Sequence, residues 1–170
     1  TDGCSAPNFA LPLYNAALGM ARLCDPHELT EARATACRKI TSAMTTHPEM
    51  VSGYGEFDEQ LMRVGAGKIV TKRGAEGFQI VGVMPRVIAP DSPGIGIAFK
   101  VSDGDASRMA DDLSVSNRVR PAVAVEILKR CTGEATFPAI VDDLATNFNA
   151  PRDRIENDVA NLLRSLADKR

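Results

Sequence analysis

This sequence is poor in several features that mark particular protein classes. It has no tryptophan, an aromatic fraction of 5% and two histidines. Its 20 Lys and Arg residues against 22 Asp and Glu residues give a net charge of -2, which offers no general attraction to nucleic acid or to an anionic membrane. No apolar run approaches the roughly 20 residues that span a bilayer, and no phosphate-binding G-x-x-x-x-G-K-[ST] motif is present. What remains is the composition of an ordinary globular protein, with 44% apolar and 25% charged residues.

Cysteine usage and the first residues indicate the compartment. Cys4, Cys24, Cys37 and Cys131 are widely spaced, and no pair has the C-x-x-C spacing of a zinc or redox site. Cys24 and Cys37 fall on helical apolar stripes, so we interpret them as buried core thiols in a reducing cytoplasm. The chain opens with Thr1 and lacks the basic start and apolar middle of a signal peptide. We therefore expect a processed, trimmed or incomplete chain.

Apolar spacing predicts helices in the first part of the chain, near Leu11–Cys24, Glu28–Thr46 and Asp58–Arg63. On the second helix we expect one buried side, which carries Leu29, Arg33, Cys37, Ile40 and Met44. Three short β-like runs follow, at Lys68–Lys72, Phe78–Met84 and Gly94–Val101. Helices followed by strands favour an α+β fold, in which helices pack on an antiparallel sheet.

From Pro121 the pattern is purely helical, and it contains three apolar stripes. These stripes carry Val123, Ile127 and Cys131, then Ile140, Val141 and Leu144, then Ile155, Val159, Leu162, Leu163 and Leu166. Short loops between the stripes predict helices that pack on one another as a three-helix module. The stretch Ser102–Arg120 is polar, and we predict a junction there, between domains at residues 1–110 and 111–170.

Five sequence blocks between residues 2 and 105 carry a resemblance to a known family. In order they are DGCSAPNFALPL from residue 2, AM…HPE from residue 43, FD…LM from residue 57, KRGAEG from residue 72 and GIGIAFK…DGD from residue 94. They resemble the C-terminal half of bacterial type II asparaginases of the β-lactamase-like superfamily. The resemblance implies part of a β-lactamase-like α/β sandwich and hydrolysis of L-asparagine to L-aspartate and ammonia.

The same resemblance implies roles for three residues. Cys4 matches a cysteine that binds zinc, and Asp2 is its neighbour, able to hold the metal or the substrate. Thiolate and carboxylate are both suitable zinc ligands. Lys72 matches an active-site lysine on a strand, where a cation stabilises charge on a substrate carbonyl or binds the α-carboxylate. Zinc is thus expected in the intact enzyme, whereas two ligands are too few for a tight site in this chain alone.

The sequence also departs from that family. It contains no Ser-x-x-Lys and no Cys-Ser-Gly-Lys, the elements that supply the nucleophile and the other metal ligands. We therefore expect a fragment that is inactive alone and self-associates through an exposed apolar face. Judged without the resemblance, Cys4 is compatible with a buried structural thiol and Lys72 with a solvated strand lysine. His47 is interpreted as a helix C-terminal residue that contacts the last carbonyls, and Gly74 and Gly77 as turn glycines.

Residues 117–170 resemble a second family. The resemblance rests on Glu126-Ile127-Leu128 with Cys131-Thr132-Gly133-Glu134, on Ile140-Val141 with Leu144, and on Asn149-Ala150-Pro151-Arg152 with Ile155 and Asp158-Val159. This segment is similar to the helical half of the PqqD family of peptide chaperones in pyrroloquinoline-quinone biosynthesis, and to related modules that present precursor peptides to radical-SAM maturases. It implies a winged-helix-like module with a precursor peptide as partner, bound as an added strand. A three-helix packing module without a ligand remains an alternative. A helix-turn-helix DNA reader is disfavoured by the near-neutral charge of the last helix.

Overall fold

A computed structural model divides the chain into two compact units, Thr1–Glu126 and Ile127–Arg170. The structure describes residues 5, 7, 9–102, 104, 105, 119–131 and 142. In these ranges the elements in chain order are α1 (Leu13–Cys24), α2 (Glu31–Thr46), α3 (Glu49–Ser52), α4 (Phe57–Gly65), β1 (Ile69–Arg73), β2 (Phe78–Val83), β3 (Ile95–Lys100) and α5 (Arg120–Arg130). The predicted α+β class is confirmed.

Within the described residues of the first unit, three strands form one antiparallel sheet in the order β1-β2-β3. Thr71 of β1 and Ile97 of β3 both lie opposite Val81 of β2. Because side chains alternate between the faces of a strand, this register places Thr71, Val81 and Ile97 on one face of the sheet. The three β-like runs in the sequence are therefore the three strands of this sheet, within a residue or two at each end.

Helix α1 covers one face of the sheet at very short range. Gly82 and Gly96 lie opposite each other in the register of β2 and β3, directly beneath this helix. A Cβ atom added at Gly96 would lie 1.8 Å from the carbonyl oxygen of Ala17, and one added at Gly82 would lie 2.4 Å from the Sγ of Cys24. The absence of both side chains is what allows the helix to approach the sheet so closely.

Helix α4 covers the opposite face. Val70 and Thr71 are consecutive in β1 and both are fully buried, which requires cover on both sides of the strand. Val70 packs with Met20 in the apolar cluster beneath α1, whereas the Thr71 hydroxyl donates to Asp58 of α4 at 3.1 Å. Met62, also on α4, is fully buried. The sheet is therefore the middle layer between helices.

The side predicted for α2 is buried only in part, because Met44 packs against the core cluster while two other members of the stripe face outward. Ile40 is 49% exposed and Arg33 is exposed too, whereas Ala34 and Thr41 are buried. These two small residues are seven positions apart, so they share a face that lets α2 pack closely. Cys37 is half-buried and therefore less enclosed than predicted; Cys24 is buried, as expected.

Two residues of the predicted junction Ser102–Arg120 belong to the interior of the first unit. Asp105 is 1% exposed and Arg120 is 2% exposed. The two backbone N–H groups at the start of α5 donate to the Asp105 carboxylate, that of Val119 at 2.7 Å and that of Arg120 at 3.3 Å. The compact units divide after Glu126, later along the chain than the boundary expected after residue 110.

Part of the predicted helical module lies outside the described residues. This applies to Ile140, Leu144, Val159, Leu163 and Leu166, which were expected in its core. Ile127, which was also expected to be buried, is described and is half-buried. Its first helix is described and begins at Arg120, one residue before the predicted start. None of the helices described is both long and apolar enough to cross a membrane.

Candidate functional site

Lys72 lies near the end of β1, on a strand as the sequence predicted. Its side chain is exposed, and its Nζ donates to the carbonyl oxygen of Arg73 at 2.9 Å. A lysine in this position presents a positive charge at the surface while its backbone is held in the sheet. The position fits both an active-site cation and a solvated strand lysine.

A tight turn follows Lys72 and joins β1 to β2. The N–H of Gly74 donates to the carbonyl oxygen of Phe78 at 2.9 Å, and Gly77 has a φ of 72°. A Cβ atom at Gly77 would lie 2.9 Å from the Cβ of Val101 and 3.0 Å from the carbonyl carbon of Gly104. The predicted role of these glycines in a tight turn is confirmed. At Gly77 neither the backbone angle nor the space suits a larger residue, and a Cβ atom at Gly74 would lie 2.9 Å from the Cδ1 of Phe78.

This turn forms one wall of a cavity of about 350 Å³. The cavity is lined by Lys72, Arg73, Gly74, Ala75, Glu76, Gly77, Gly104 and Arg120. Three of these residues carry a positive charge and one carries a negative charge. The cavity thus joins the KRGAEG block to the DGD block and to the first residue of α5, which lie far apart in the sequence.

Arg120 is the buried cation of the cavity. Its NH1 donates to the Oε1 of Gln79 at 2.5 Å, and its Nε lies 3.8 Å from the Oδ2 of Asp105. Burial lowers the pKa of the Arg120 guanidinium, an effect that the nearby charges of Asp58 and Asp105 oppose. An arginine remains protonated at neutral pH even so, which places a permanent positive charge at this wall.

Beneath the cavity, Asp58 of α4 gathers hydrogen bonds from two strands. Its Oδ2 accepts the backbone N–H of Arg73 at 2.7 Å. Its Oδ1 accepts the hydroxyl of Thr71 at 3.1 Å and the Nε2 of Gln79 at 2.8 Å. The Asp58 side chain is 1% exposed, so these donors compensate the cost of burying a carboxylate. The result is a continuous buried polar cluster of Asp58, Thr71, Gln79, Arg120 and Asp105.

Ion pairs lie around this cluster and the cavity. The NH1 of Arg73 contacts the Oε2 of Glu56 at 2.5 Å. The Nζ of Lys100 lies 3.1 Å from the Oε2 of Glu76 and donates to the Glu76 carbonyl oxygen at 2.7 Å. Both pairs are partly exposed to solvent, so each contributes little stability.

Beyond Lys72 and the turn glycines, the structure describes His47 but not the other site residues expected from the sequence. Asp2 and Cys4 lie outside the described residues, and across the described residues no three His, Cys, Asp or Glu side chains gather into a metal site. His47 ends α2, where its backbone N–H donates to the carbonyl oxygen of Ala43 at 3.0 Å. Its imidazole Nδ1 lies 3.5 Å from the Oε1 of Glu49, so the helix carbonyl is contacted by the His47 backbone.

Sequence reasoning missed Gln79 and Arg120. Gln79 stands alone as a polar residue in the apolar strand Phe78–Val83, and a fully buried amide there needs partners. That anomaly was visible in the sequence. Arg120 gave no such signal, because it ends a polar stretch that resembles a linker. Asp58 was noted as part of the FD block, but its role in binding β1 was not.

The chain was compared with known protein families. A family profile described as L-asparaginase II matches residues 1–161. The chain belongs to the L-asparaginase II family. The match includes the KRGAEG turn, the DGD block and α5, so the cavity is built from residues within the asparaginase-like region, which extends beyond residue 105.

The chain is also similar, over one segment, to proteins named PqqA binding protein. The relative from Rhodopseudomonas palustris strain BisB5 is 49% identical over 47 residues, and the one from Bradyrhizobium diazoefficiens is 45% identical over 47 residues. Each match covers 28% of this chain and 46% of the relative, so the chain spans about half the length of these curated relatives. Both resemblances expected from the sequence are present in one chain.

Proposed function

We propose that residues 1–126 supply the lysine-bearing part of an amidohydrolase site that acts on L-asparagine. The observation that carries the proposal is the cavity at the end of β1, where Lys72 and Arg120 lie on its wall. The L-asparaginase II match spans every residue that lines this cavity. Lys72 is thus the candidate catalytic residue of this chain.

The proposed reaction is hydrolysis of the side-chain amide. Over the whole reaction, the amide carbon exchanges its C–N bond for a bond to a water oxygen, and the nitrogen leaves as ammonia with a proton from that water; the nucleophile that attacks first belongs to the Ser-x-x-Lys element. Negative charge develops on the carbonyl oxygen as the carbon becomes tetrahedral. A fixed cation such as the Lys72 ammonium stabilises that charge or binds the α-carboxylate of the substrate. The buried Arg120 guanidinium adds to the positive potential of the cavity.

Turnover needs groups that this sequence does not contain. No Ser-x-x-Lys or Cys-Ser-Gly-Lys is present in it, and we propose that the chain alone is inactive. Zinc would be held in the intact enzyme by Cys4 with Asp2 beside it, where it would act as a Lewis acid. Two protein donors do not complete the three- or four-ligand set of a zinc site, so this chain alone would hold zinc weakly.

An ammonia-release assay tests this proposal. The purified chain should release no ammonia from L-asparagine above the blank, with or without added zinc; metal-dependent turnover would contradict the expected inactivity.

Fused to a family segment that carries Ser-x-x-Lys, the chain should gain activity. In that fusion, Lys72→Ala should lower kcat by about 100-fold, whereas Lys68→Ala, an exposed lysine that does not line the cavity, should not. Equal activity of the two variants would remove Lys72 from the site. Cys4→Ser should in turn lower the zinc content of the fusion.

We also propose self-association through exposed apolar side chains of α3, of α4 and of the loop between them. Met50, Tyr54 and Val64 are 82%, 80% and 85% exposed, and such side chains favour association when grouped. Light scattering at micromolar concentration should show dimers or larger species. A stable monomer would contradict this proposal.

A second candidate function is binding of a precursor peptide by the C-terminal segment. The observation that favours it is the 45–49% identity over 47 residues to proteins named PqqA binding protein. The role of such binding would be to capture a peptide for a radical-SAM maturase in pyrroloquinoline-quinone or related biosynthesis. Titration of the whole chain with a synthetic PqqA peptide tests it: calorimetric binding at micromolar affinity supports it, and no heat at millimolar peptide contradicts it. A scrambled peptide of equal composition is the control.

A further inference from the structure

Asp58 binds the residues on both sides of Lys72. Its Oδ1 accepts the Thr71 hydroxyl at 3.1 Å and its Oδ2 accepts the Arg73 backbone N–H at 2.7 Å. Successive side chains of a strand point to opposite faces, so the Lys72 side chain leaves the strand on the face opposite to Thr71. One carboxylate therefore binds the side chain of the residue before Lys72 and the backbone of the residue after it.

We propose that Asp58 is a positioning residue for Lys72, an inference that rests on the proposed role of Lys72 in the asparaginase site. Asp58 itself has no place on the wall of the cavity. It acts through the end of β1, by limiting the rotation and fraying of the last strand residues. The Lys72 Nζ is thereby kept at its place beside the turn that begins at Gly74.

Asp58 is fixed in turn by β2 and by the start of α5. The Nε2 of Gln79 donates to its Oδ1 at 2.8 Å, and the Oε1 of the same amide accepts NH1 of Arg120 at 2.5 Å. Gln79 is fully buried and Arg120 is 2% exposed, so solvent does not compete for these bonds. The amide orientation of Gln79 is set by its two partners: its nitrogen faces a carboxylate and its oxygen faces a guanidinium. Arg120 thus acts on Lys72 only indirectly, through Gln79 and Asp58.

The alternative is that the buried cluster only stabilises the fold. Glu59, the next residue of α4, allows the two roles to be separated. It is 5% exposed, similar to Asp58 at 1%, but it pairs with Arg63 on its own helix. Asp58→Asn and Glu59→Gln each neutralise one buried carboxylate on the same helix. Of the two, the proposal assigns only Asp58 an effect on Lys72.

The test uses nuclear magnetic resonance on the full chain and needs no catalytic activity. In the wild type, the Cε order parameter of Lys72 should exceed that of the exposed Lys68, and the Arg73 amide should exchange slowly. Asp58→Asn should lower the Lys72 value to that of Lys68 and speed Arg73 exchange at least tenfold. Glu59→Gln should change neither, even where it lowers the midpoint of unfolding.

A gentler variant covers the case in which Asp58→Asn fails to fold. Thr71→Val keeps the shape of the side chain and removes one of the two flanking bonds, so the Lys72 order parameter should fall part of the way. Unchanged Lys72 order in whichever variant folds, or an equal fall in Glu59→Gln, would overturn the proposal. Failure of the proposed function would give a different result. The reconstituted Lys72→Ala enzyme would keep its turnover, while the order-parameter and exchange measurements on the chain would stay as expected.

Discussion

The two faces of the sheet are built on opposite chemical principles. Against α1, the sheet offers Gly82 and Gly96, and the cluster there consists of apolar side chains and a thiol, centred on Met20, Cys24 and Val70. Against α4, it offers a hydroxyl and an amide, which meet a buried carboxylate. The first face depends on close approach of atoms, and the second depends on complete pairing of polar groups.

This difference separates two sources of rigidity in the fold, apolar packing on one face of the sheet and polar hydrogen bonds on the other. Apolar packing is nondirectional, so it holds α1 firmly but specifies no orientation for polar groups. The polar face carries directional bonds whose loss leaves a buried charge unpaired. The cavity lies at the end of β1, where Arg73 and Arg120 join the polar cluster, while the Lys72 side chain leaves the strand on the opposite face. Breaking each face in turn should therefore give different kinds of damage.

The largest effect is expected on the apolar face, from Gly96→Val. Any side chain there would meet the carbonyl oxygen of Ala17 at 1.8 Å and the backbone nitrogen of Ala21 at 2.7 Å. Both are helix backbone atoms, so the whole of α1 would have to move. We expect a loss of more than ~3 kcal/mol or failure to fold, measured by urea unfolding. Gly19→Ala is the control, since nothing lies within 4 Å of its added Cβ, and a loss as large there would contradict the packing argument.

The next effect is expected on the polar face, from Gln79→Leu. This variant keeps the side-chain volume and removes both the donor to Asp58 and the acceptor for Arg120. Leaving charged groups with fewer buried partners should cost about 2–3 kcal/mol. The loss is measured as the change in the free energy of unfolding. Gln60→Leu is the matched control, because it makes the same change at an exposed position. Similar values for the two variants would show that the polar cluster contributes no more than a surface amide.

A smaller effect links α1 to the start of β3 and depends on pH. The Oδ2 of Asp25 accepts the backbone N–H of Gly94 at 3.0 Å, and this bond lowers the pKa of Asp25 below its usual 3.8. A lowered folded-state pKa means that the stabilisation is present above pH 3.8 and is lost as pH falls through the folded value. We expect about 1 kcal/mol.

Urea unfolding between pH 6 and pH 2.5 measures this dependence. Asp25→Asn should remove the part of the acid-induced loss of unfolding free energy that comes from protonation of Asp25. The exposed Asp91→Asn should leave the curve unchanged. If Asp25→Asn loses as much stability in acid as the wild type, the carboxylate bond to Gly94 makes no contribution.

The smallest effect concerns the reactivity of thiols and leaves stability unchanged. Burial, with a smaller contribution from the charge of Asp25, raises the pKa of Cys24 to about 12. Alkylation requires the thiolate, so iodoacetamide at pH 8 should modify Cys24 at least about tenfold more slowly than the half-buried Cys37. Peptide mass spectrometry at timed intervals gives both rates. Equal rates would mean that α1 opens readily from the sheet.

The sequence predicted well what depends on neighbouring residues. Alternating and helical patterns located β1, β2, β3 and α1, because apolar periodicity is set by the face that each element buries. The KRGAEG block located Lys72 and its turn. For α2 the same reasoning failed, because Ile40 is apolar but faces outward while the small Thr41 is buried. Single apolar residues at the surface are common, so a stripe alone did not fix the buried side.

What depends on distant residues was not predictable from local patterns. The hydrogen bond from Arg120 to Gln79 joins residues 41 positions apart, and that from Arg73 to Asp58 joins residues 15 positions apart. Polar residues of this kind resemble surface residues until the fold brings them together. The KRGAEG motif pointed to Lys72 in the sequence, whereas only the structure shows that Asp58 binds the residues on either side of it.

The contact between Asp25 and Gly94 also has a consequence for the order of events during synthesis. These residues are 69 positions apart, and ribosomes add roughly 5–20 residues per second. The α1 segment is therefore synthesised roughly 3–14 seconds before the strand that covers it. Until Val70 has been added, Met20 and Cys24 lack the buried apolar neighbour that they contact in the folded protein. Translation pauses between α1 and β3 would prolong the exposure of these side chains.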